Sequence, residues 1–366
     1  MKVLHVTQKL PGGPASYLGE LLPYQRAALG DANVSLVACG DELGHLPGFP
    51  RSSVHAFDSS GRGPVALLGF MRTAMSALLA ERPTVVHLHS TFPGLLRLPI
   101  AALPASRRPA VVYCSHGWAF NMDSANWKRG CYAGVERLLA PLGQRTIAIS
   151  DFERRSALSR GIRAENMVVV ENGVSAAPPE LLLPAADMRS DVLNLLFIGR
   201  LDEQKGFDVL EAAMATLVDR PVHLHVIGDR VVSSGQSLVS SLPNVTHYGW
   251  RDRSQVPGFI EKADVVVMPS RWEGFGLVAI EAMRQGRPVL ASRVDALPEV
   301  VGEAGMLVRP GDPEALSYAI SRLDRAELKM LGEKARLRFQ ERFTSERMNA
   351  YILRCYHEAL GARRRA

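Results

Sequence analysis

Short runs of consecutive apolar residues, separated by segments of helical character, recur along the whole 366-residue chain. A strand with one solvent-facing side alternates apolar and polar residues, whereas a strand covered on both faces is apolar at successive positions. Such strands form parallel sheets with helices packed on both sides, so the pattern predicts an α/β protein. The predicted strands are 2–6, 34–37, 84–88, 110–114, 146–149, 167–170, 193–198, 222–227, 245–248, 264–268, 288–291 and 305–308.

The strands fall into two groups, because the Pro- and Ala-rich residues 176–191 interrupt the rhythm of strands and helices. A chain of this length also suggests two or three domains, at roughly 150 residues each. We predict a Rossmann-like domain over 1–175, a linker over 176–191 and a second Rossmann-like domain over 192–343, with the two domains facing a central cleft. Ligands of doubly wound sheets bind at the carboxyl ends of the strands, so functional residues are expected there.

The charge of the chain is unevenly distributed. The 43 Lys and Arg exceed the 37 Asp and Glu by six, and residues 1–175 account for the whole excess, with 18 basic and 12 acidic residues. A basic first half suggests an anionic partner such as a membrane surface, a phosphorylated substrate or nucleic acid. Nucleic acid is not favoured, because the sequence contains no basic stripe interleaved with aromatic residues.

The cysteines and the apolar runs bear on the compartment. Cys39, Cys114, Cys131 and Cys355 are far apart and form no CxxC pair, which is typical of reduced thiols in a cytoplasmic protein. The apolar run at 1–6 is too short for a signal peptide, and no stretch reaches the ~18 to 20 uncharged residues of a spanning helix. We predict a cytoplasmic protein, either soluble or peripheral on the inner face of the cytoplasmic membrane.

Two loops after predicted strands combine glycine or basic residues with the start of a helix. Gly12 and Gly13 allow a ligand to approach the backbone, and the following helix N-terminus favours phosphate. Arg200 and Lys205 lie five positions apart, and two cations together with backbone amides could neutralise a diphosphate without a metal. A structural glycine turn and a solvated loop are the alternative interpretations.

Two glutamates follow the predicted strand 264–268. Glu273 lies in the loop, and Glu281 lies eight positions further on, in a helix expected to begin near Phe275. Eight residues at ~100° each return to nearly the same helical face, about 12 Å further along the axis. One carboxylate could accept hydrogen bonds from a ribose and the other could meet a transferred sugar. The alternatives are a helix cap for Glu273 and a surface position for Glu281.

Taken together, these segments resemble a retaining glycosyltransferase of family 4, which has the GT-B fold. The resemblance covers nearly the whole chain. The motifs that carry it are Glu-Gly-Phe-Gly-Leu-x3-Glu-Ala-Met at 273–283, Gly199-Arg200-Leu201, Lys205-Gly206, Asn172-Gly173-Val174 and Gly12-Gly13. It implies an acceptor-binding first domain, a nucleotide-sugar-binding second domain, and a C-terminal helix over 344–366 that crosses back to the first domain.

The resemblance also implies roles for single residues on the donor side. Glu273 and His116 match catalytic residues beside the donor sugar, and Glu281 matches the carboxylate that binds the nucleotide ribose. The residues that match the diphosphate site are Arg200, Lys205, Gly274, Phe275 and Gly276.

On the other side, Gly12 and Gly13 match the loop that closes on donor and acceptor. His89 and Asn172 are assigned to the acceptor side. His87 and His89 share a strand face and could be read as a metal pair, but no third ligand is apparent from the sequence and the family works without metal. We therefore predict no cofactor and no metal, with the nucleotide sugar as substrate.

The function that this resemblance implies is transfer of a sugar from a UDP- or GDP-sugar to a glycan or polyprenyl-pyrophosphate-linked acceptor, with retention (EC 2.4). The expected setting is bacterial surface polysaccharide biosynthesis, such as exopolysaccharide, O-antigen or lipopolysaccharide. A soluble sugar-phosphate or small-molecule acceptor remains an alternative, as does a non-catalytic nucleotide-sugar sensor or partner subunit. Donor sugar, base, linkage and oligomeric state stay open.

Two details of the sequence complicate this picture. The family often has Gly-x-Gly after the strand 222–227, where this chain has Gly228-Asp229-Arg230, which leaves the nucleotide contacts at that loop open. Residues 93–109 are either an interfacial membrane helix or a buried crossover helix with a basic end, and the second interpretation is favoured.

Overall fold

The computed structural model describes residues 1–58, 63–177, 188–229 and 241–363, and the chain divides into two compact units. Unit 1 comprises Met1–Gly173 and Ser345–Ala366, and unit 2 comprises Val174–Thr344. Counted over the sequence, unit 1 has 23 Lys and Arg against 14 Asp and Glu, a net charge of +9, while unit 2 has 20 against 23, a net charge of −3. The basic excess therefore lies entirely in unit 1.

Unit 1 is built on a seven-stranded parallel sheet of order β3-β2-β1-β4-β5-β6-β7. The order reverses between β1 and β4, which lie side by side. The strands are β1 Val3–Thr7, β2 Val34–Cys39, β3 Val54–Phe57, β4 Val85–His89, β5 Ala110–Cys114, β6 Arg145–Ala148 and β7 Met167–Val169. The helices are α1 Gly13–Leu29, α2 Pro64–Glu81, α3 Thr91–Gly94, α4 Arg97–Ala101, α5 Asn126–Leu139 and α6 Asp151–Ser159.

Unit 2 repeats this plan with a six-stranded parallel sheet of order β10-β9-β8-β11-β12-β13. The strands are β8 Leu193–Ile198, β9 Val222–Ile227, β10 Val245–His247, β11 Val265–Met268, β12 Val289–Ser292 and β13 Gly305–Val308. The helices are α7 Phe207–Ala215, α8 Val256–Lys262, α9 Leu277–Arg284, α10 Leu297–Val301, α11 Pro313–Ser321 and α12 Arg325–Arg342. The last helix, α13 Ser345–Arg363, belongs to unit 1.

The predicted α/β class with two doubly wound parallel sheets is confirmed. Every predicted strand is present within a residue or two, because most of these strands are buried on both faces and are therefore apolar at successive positions. The apolar pattern does not predict β3, a four-residue edge strand that is mostly half-exposed or exposed. Its residues, Val-His-Ala-Phe, form no consecutive apolar run, so the burial signal was absent.

The unit boundary after Gly173 lies close to the predicted end of the first domain at residue 175, and α13 starts next to the predicted position 344. Most of the predicted linker over 176–191 lies outside the described residues, as do Arg230 of the Gly-Asp-Arg segment and the last three residues.

Among the described helices, α2 alone is long and apolar enough to cross a membrane, judged by length and composition only. One such helix is weak evidence, since a core helix passes the same test. Phe70, Ala74, Ala77 and Leu78 of α2 lie in the hydrophobic core of unit 1. The helix therefore covers one face of the unit 1 sheet, while part of its opposite face is exposed.

A buried ion pair anchors the segment after β4. Arg97, only 1% exposed, donates to the Glu136 carboxylate at 2.6 Å and to the Gly94 carbonyl at 2.8 Å. The Tyr113 hydroxyl donates to the other Glu136 oxygen at 2.6 Å, and the guanidinium lies over the Tyr113 ring. Residues 93–109 include the end of α3 and the whole of the short helix α4, which contains this buried arginine. This agrees with the crossover interpretation and not with an interfacial membrane helix.

Replacing Glu136 by alanine should lower the free energy of unfolding by about 3 to 5 kcal/mol, because Arg97 is then a buried charge without its partner. Denaturant titration of the purified variant measures this loss. Glu358→Ala is the matched control, since it removes the carboxylate of the partly exposed Arg145–Glu358 pair in the same unit and should cost less than about 1 kcal/mol. Equal losses in the two variants would contradict the assignment.

Candidate functional site

The strand order of unit 2 reverses between β8 and β11, which pair directly. Their carboxyl ends lead into two loops, 199–206 before α7 and 269–276 before α9. Because β8 and β11 are neighbours, the loops lie side by side at the switch point of the sheet, where ligands of doubly wound folds bind. These loops contain Arg200, Lys205 and Glu273.

The two loops are joined by close backbone contacts. The Arg271 amide donates to the Gln204 carbonyl at 2.8 Å, and the Gln204 side-chain amide lies 3.4 Å from the Trp272 carbonyl. Gly206 has a φ of 66°, and a Cβ at this position would lie 2.1 Å from the Pro269 carbonyl oxygen. Only glycine therefore allows the loops to approach this closely.

The central interaction of this group is an ion pair between the loops. Lys205 Nζ lies 2.5 Å from Glu273 Oε2, and the two side chains are 21% and 11% exposed. The Lys205 amide donates to Asp202 at 3.0 Å, and the Glu273 amide donates to Asp295 at 2.8 Å. Both ends of the pair are thus fixed by carboxylates that accept from the backbone.

Arg200 lies on the solvent side of the same loop, with 43% of its side chain exposed. Its guanidinium donates to Gln204 Oε1 at 2.6 Å and pairs with Asp202 at 2.9 Å. The arginine is therefore held near Lys205 by its own loop and remains accessible to an anion.

Helix α9 begins at Leu277, two residues later than the expected start near Phe275, because Gly276 is its N-cap with a left-handed φ of 96°. A Cβ on Gly276 would lie 2.7 Å from the Leu297 side chain, so this turn requires glycine. The Phe275 side chain is buried against Phe343, which leaves its backbone as the part available to a ligand. Glu281 is half-buried on α9, as its place among apolar neighbours suggested.

Asp295 is a functional candidate that the sequence reading missed. It follows β12, the strand next to β11, and has a positive φ of 48°. Burial, together with the charge of Glu273, raises the pKa of its carboxyl above the ordinary value, although the Glu273 amide opposes the shift. The sequence does show that Asp295 is a polar residue just beyond a buried strand, which is where functional residues are expected. Nothing in the sequence around Asp295 indicates its contact with Glu273.

Unit 1 holds a second group at its own switch point, between β1 and β4. Gly12, with a φ of 87°, is the N-cap of the 17-residue helix α1, and a Cβ on Gly12 or Gly13 would meet no atom within 4 Å. The space in front of this helix terminus is thus open to a ligand.

Beside this loop lies a cluster of buried histidines. His89 Nδ1 lies 2.9 Å from His116 Nε2, and His89 Nε2 lies 3.0 Å from Nδ1 of His5. His5, His87 and His89 each place a ring nitrogen within 4.8 Å of the others. The structure therefore supplies the third histidine that the sequence did not reveal, because β1 and β4 pair in register at His5 and His87. The prediction that the protein uses no metal stays a prediction.

His116 occupies an unusual backbone position after β5, with a φ of 54°, and Gly117 follows with a φ of 111°. Left-handed conformations are uncommon for residues other than glycine and cluster at functional sites. Burial lowers the pKa of His116 to about 4, so its half-buried ring is neutral at pH 7. Asn172 lies elsewhere in unit 1, after β7, where it is buried and its Oδ1 has no hydrogen-bond partner in the described part of the chain.

The predicted site residues thus form two groups. In unit 2, Arg200, Lys205 and Glu273 lie together, with Glu281 and the 274–276 backbone on the same loop and helix. In unit 1, His89 and His116 are hydrogen-bonded. Gly12 and Gly13 begin α1, which packs Tyr17 against both histidine rings.

Comparisons with known proteins match both units. The family model described as "Glycosyl transferases group 1" matches residues 193–325, and the "Glycosyl transferase 4-like domain" matches residues 12–173. An "Uncharacterized 41.2 kDa protein in cps region" of Klebsiella pneumoniae is 32% identical over 317 residues, which cover 84% of this chain and 86% of that protein.

One further relative and one solved structure resemble the chain along nearly its whole length. A phosphatidyl-myo-inositol mannosyltransferase of Mycolicibacterium smegmatis is 28% identical, over 96% of this chain and 92% of that protein. The Anabaena Alr3699/HepE structure in complex with UDP and glucose has a TM-score of 0.74 and 21% identity, covering 97% of this chain and 98% of that one. At this identity the structural likeness shows a common fold.

We expect Asp295 to control the order of the Glu273 loop. Asp295→Gly keeps the left-handed turn but removes the carboxylate that accepts from the Glu273 amide. The lost charge-assisted hydrogen bond is worth roughly 1.5 to 3 kcal/mol, so amide hydrogen exchange in residues 269–276 should become tenfold faster or more. Asp295→Asn keeps an acceptor and tolerates positive φ, so exchange should stay near wild type. Hydrogen-exchange mass spectrometry measures both, and equal protection in the two variants would argue against this role.

Proposed function

The chain belongs to the family 4 glycosyltransferases of the GT-B fold, and on that basis we propose that it transfers a sugar from a UDP- or GDP-sugar to a glycan or lipid-linked acceptor with retention of configuration. The observation that carries the proposal is the Lys205–Glu273 pair, which joins a cation and a carboxylate at the switch point of unit 2. In such a pair the lysine can bind a diphosphate, and the carboxylate can face the sugar attached to it.

In this proposal the donor diphosphate binds Lys205 and Arg200. Arg200 is accessible, and Lys205 is already directed to the loop junction by Glu273. The amides of residues 274–276 precede the N-terminus of α9, whose partial positive charge also favours an anion. Glu281, half-buried on that helix, binds the ribose hydroxyls as an acceptor.

The chemistry follows from where charge develops. As the bond between the sugar C1 and the phosphate oxygen breaks, negative charge grows on the diphosphate and positive charge grows on the sugar ring. Lys205 and Arg200 stabilise the first, and Glu273 stabilises the second. The acceptor oxygen then bonds to C1 from the face that the diphosphate leaves, and the acceptor proton passes to the departing phosphate oxygen. In this proposal the two cations balance the charge without a metal.

The acceptor side of the proposal is supported by the charge of unit 1 and by helix α5. Unit 1 has a net charge of +9. Trp127, Cys131, Val135 and Leu138 of α5 are exposed and lie at spacings of four, four and three, which places them along one helical stripe. An anionic membrane surface complements both the stripe and the charge.

The names of two relatives support the proposed acceptor. One is a mannosyltransferase named for phosphatidyl-myo-inositol, and the Klebsiella relative is described by its cps region. We propose that the protein acts at the inner face of the cytoplasmic membrane in bacterial surface polysaccharide biosynthesis.

The donor site is tested by nucleotide binding and turnover. UDP or GDP at 100 times its Kd should stabilise the wild-type protein by about 2.7 kcal/mol in a thermal-shift panel that includes ADP. Lys205→Ala should lose most of this shift. Lys205→Ala and Glu273→Gln should each lower kcat for donor consumption by about 10² or more, because both act on developing charge.

Arg189→Ala is the matched control for these variants. Arg189 also belongs to unit 2 and pairs with Asp191, but it is exposed. It precedes β8 and so lies at the amino ends of the strands, away from the candidate site at their carboxyl ends. Its loss should leave nucleotide binding and turnover unchanged. Wild-type turnover in Lys205→Ala or Glu273→Gln would remove the proposed role of that residue.

Membrane association is tested separately with vesicles. The protein should bind vesicles rich in anionic lipid at low salt, and binding should weaken as salt screens the charge of unit 1. Trp127→Ser and Leu138→Ser should each reduce binding. Tyr318→Ser, which removes an equally exposed aromatic side chain from unit 2, should have no effect. Vesicle binding that does not weaken as the salt concentration rises, or the absence of binding, would contradict the proposal.

A further inference from the structure

Seven side chains of unit 1 form an unbroken hydrogen-bonded chain that runs from the half-buried His116 region into the interior. They come from β1, β4, β5 with its following turn, α1 and α13. We call this set the imidazole chain; in order, its members are Cys114, His116, His89, His5, Gln25, Tyr356 and His87.

The hydrogen bonds of the imidazole chain are short except at one end. Two distances link the inner members, 2.9 Å from His5 Nε2 to Gln25 Oε1 and 3.0 Å from Gln25 Nε2 to the Tyr356 hydroxyl. The Tyr356 hydroxyl lies 2.7 Å from His87 Nδ1. At the other end, His116 Nδ1 lies 3.6 Å from the Cys114 sulfur, which makes this the weakest link.

Every ring of the chain is neutral at pH 7. Burial lowers the pKa of His5 and His116 to about 4 and holds the pKa values of His87 and His89 well below the ordinary value. Burial also raises the pKa of the Cys114 thiol, which keeps it protonated. A neutral imidazole has one N–H and one lone pair, so each ring can donate at one nitrogen only.

With the Gln25 amide oriented as in the structure, the position of each proton follows. Gln25 presents its carbonyl oxygen to His5, so His5 donates from Nε2 and accepts at Nδ1. His89 must then donate from Nε2 to His5, and His116 must donate from Nε2 to Nδ1 of His89. One amide orientation thus sets the tautomer of three imidazoles in series.

Tyr356 binds the amino end of that amide. Its oxygen accepts from Gln25 Nε2, and its own proton goes to His87 Nδ1. His87 Nε2 is the end of the chain, since it is buried with no hydrogen-bond partner among the residues that the structure describes. If the Gln25 amide turned over, every donor and acceptor along the chain would exchange roles.

We propose that His5, Gln25, His89 and Tyr356 are positioning residues that hold His116 in a single orientation as its Nε2–H tautomer. His116 Nδ1 then carries a lone pair that is engaged only by the distant Cys114 thiol. A hydroxyl of a bound ligand can replace the thiol as donor. This last step rests on the proposed function, whereas the tautomer itself does not.

The chain also accounts for the ring nitrogens that could otherwise suggest a metal site. His89 Nε2 and His5 Nδ1 lie 3.0 Å apart and are joined by the proton that His89 donates. A metal on His5, His87 and His89 would need lone pairs at all three rings and would break this link.

Long-range ¹H–¹⁵N correlation NMR of the histidine rings tests the proposal directly. At pH 7 the wild-type protein should show His5, His89 and His116 protonated at Nε2 and unprotonated at Nδ1. Tyr356→Phe keeps the ring but releases the Gln25 amide, so both tautomers of His116 should then be populated.

Tyr17→Phe is the matched control. Tyr17 is equally buried and packs edge-on against His116, with 4.5 Å between ring centroids, but its hydroxyl has no hydrogen-bond partner among the described residues. Its spectrum should match wild type. A wild-type His116 protonated at Nδ1, an unchanged spectrum in Tyr356→Phe, or stoichiometric metal bound to the purified protein would each overturn the proposal.

Turnover provides an independent readout. Tyr356→Phe should lower kcat roughly tenfold or more, because a misoriented group loses much of its contribution, while Tyr17→Phe stays near wild type. Altered tautomers with unchanged kcat in Tyr356→Phe would overturn the positioning role. If the wild-type protein shows no sugar transfer at all, the proposed function fails and the NMR result still decides the tautomer.

Discussion

In both units the strands that come first and fourth along the chain are neighbours in the sheet, and the positions of the polar groups at the candidate sites depend on that pairing. In unit 2 the pairing of β8 with β11 brings Lys205 within 2.5 Å of Glu273, although 68 positions separate them in the chain. In unit 1 the pairing of β1 with β4 aligns His5 with His87. Each sheet reverses its order at this point, and ligands of doubly wound folds bind there, beyond the carboxyl ends of the strands.

The two sites stabilise buried polar groups in different ways. Unit 2 uses opposite charges, with the Lys205–Glu273 pair held at each end by a carboxylate that accepts from the backbone. Unit 1 uses neutral imidazoles whose charged forms are excluded by burial. The first arrangement suits a ligand that carries charge, since in the proposed function the donor diphosphate binds Lys205. The second suits a ligand that offers only hydroxyl groups.

Much of the fold was predictable because parallel strands buried on both faces leave an uninterrupted apolar run. The exception, β3, lies at an edge and is largely exposed, so its sequence is not apolar throughout. That Arg200, Lys205 and Glu273 lie close together was predictable, because they follow strands within recognisable motifs; their roles toward a donor stay predictions. Asp295 and Gln25 were not predictable, since an aspartate after a strand and a glutamine in a helix have many ordinary roles. Only the folded chain shows that they fix Glu273 and His5.

The sequence by itself determined the two doubly wound domains, the family and the identity of the residues at the strand ends, because these depend on local apolar pattern and motif spacing. The tertiary structure alone decided that Tyr356 of α13 hydrogen-bonds to His87, that Arg97 is buried in an ion pair with Glu136, and that four histidines join into one hydrogen-bonded chain. These contacts join residues far apart in the chain. Their geometry depends on strand register and helix packing, which no local segment encodes.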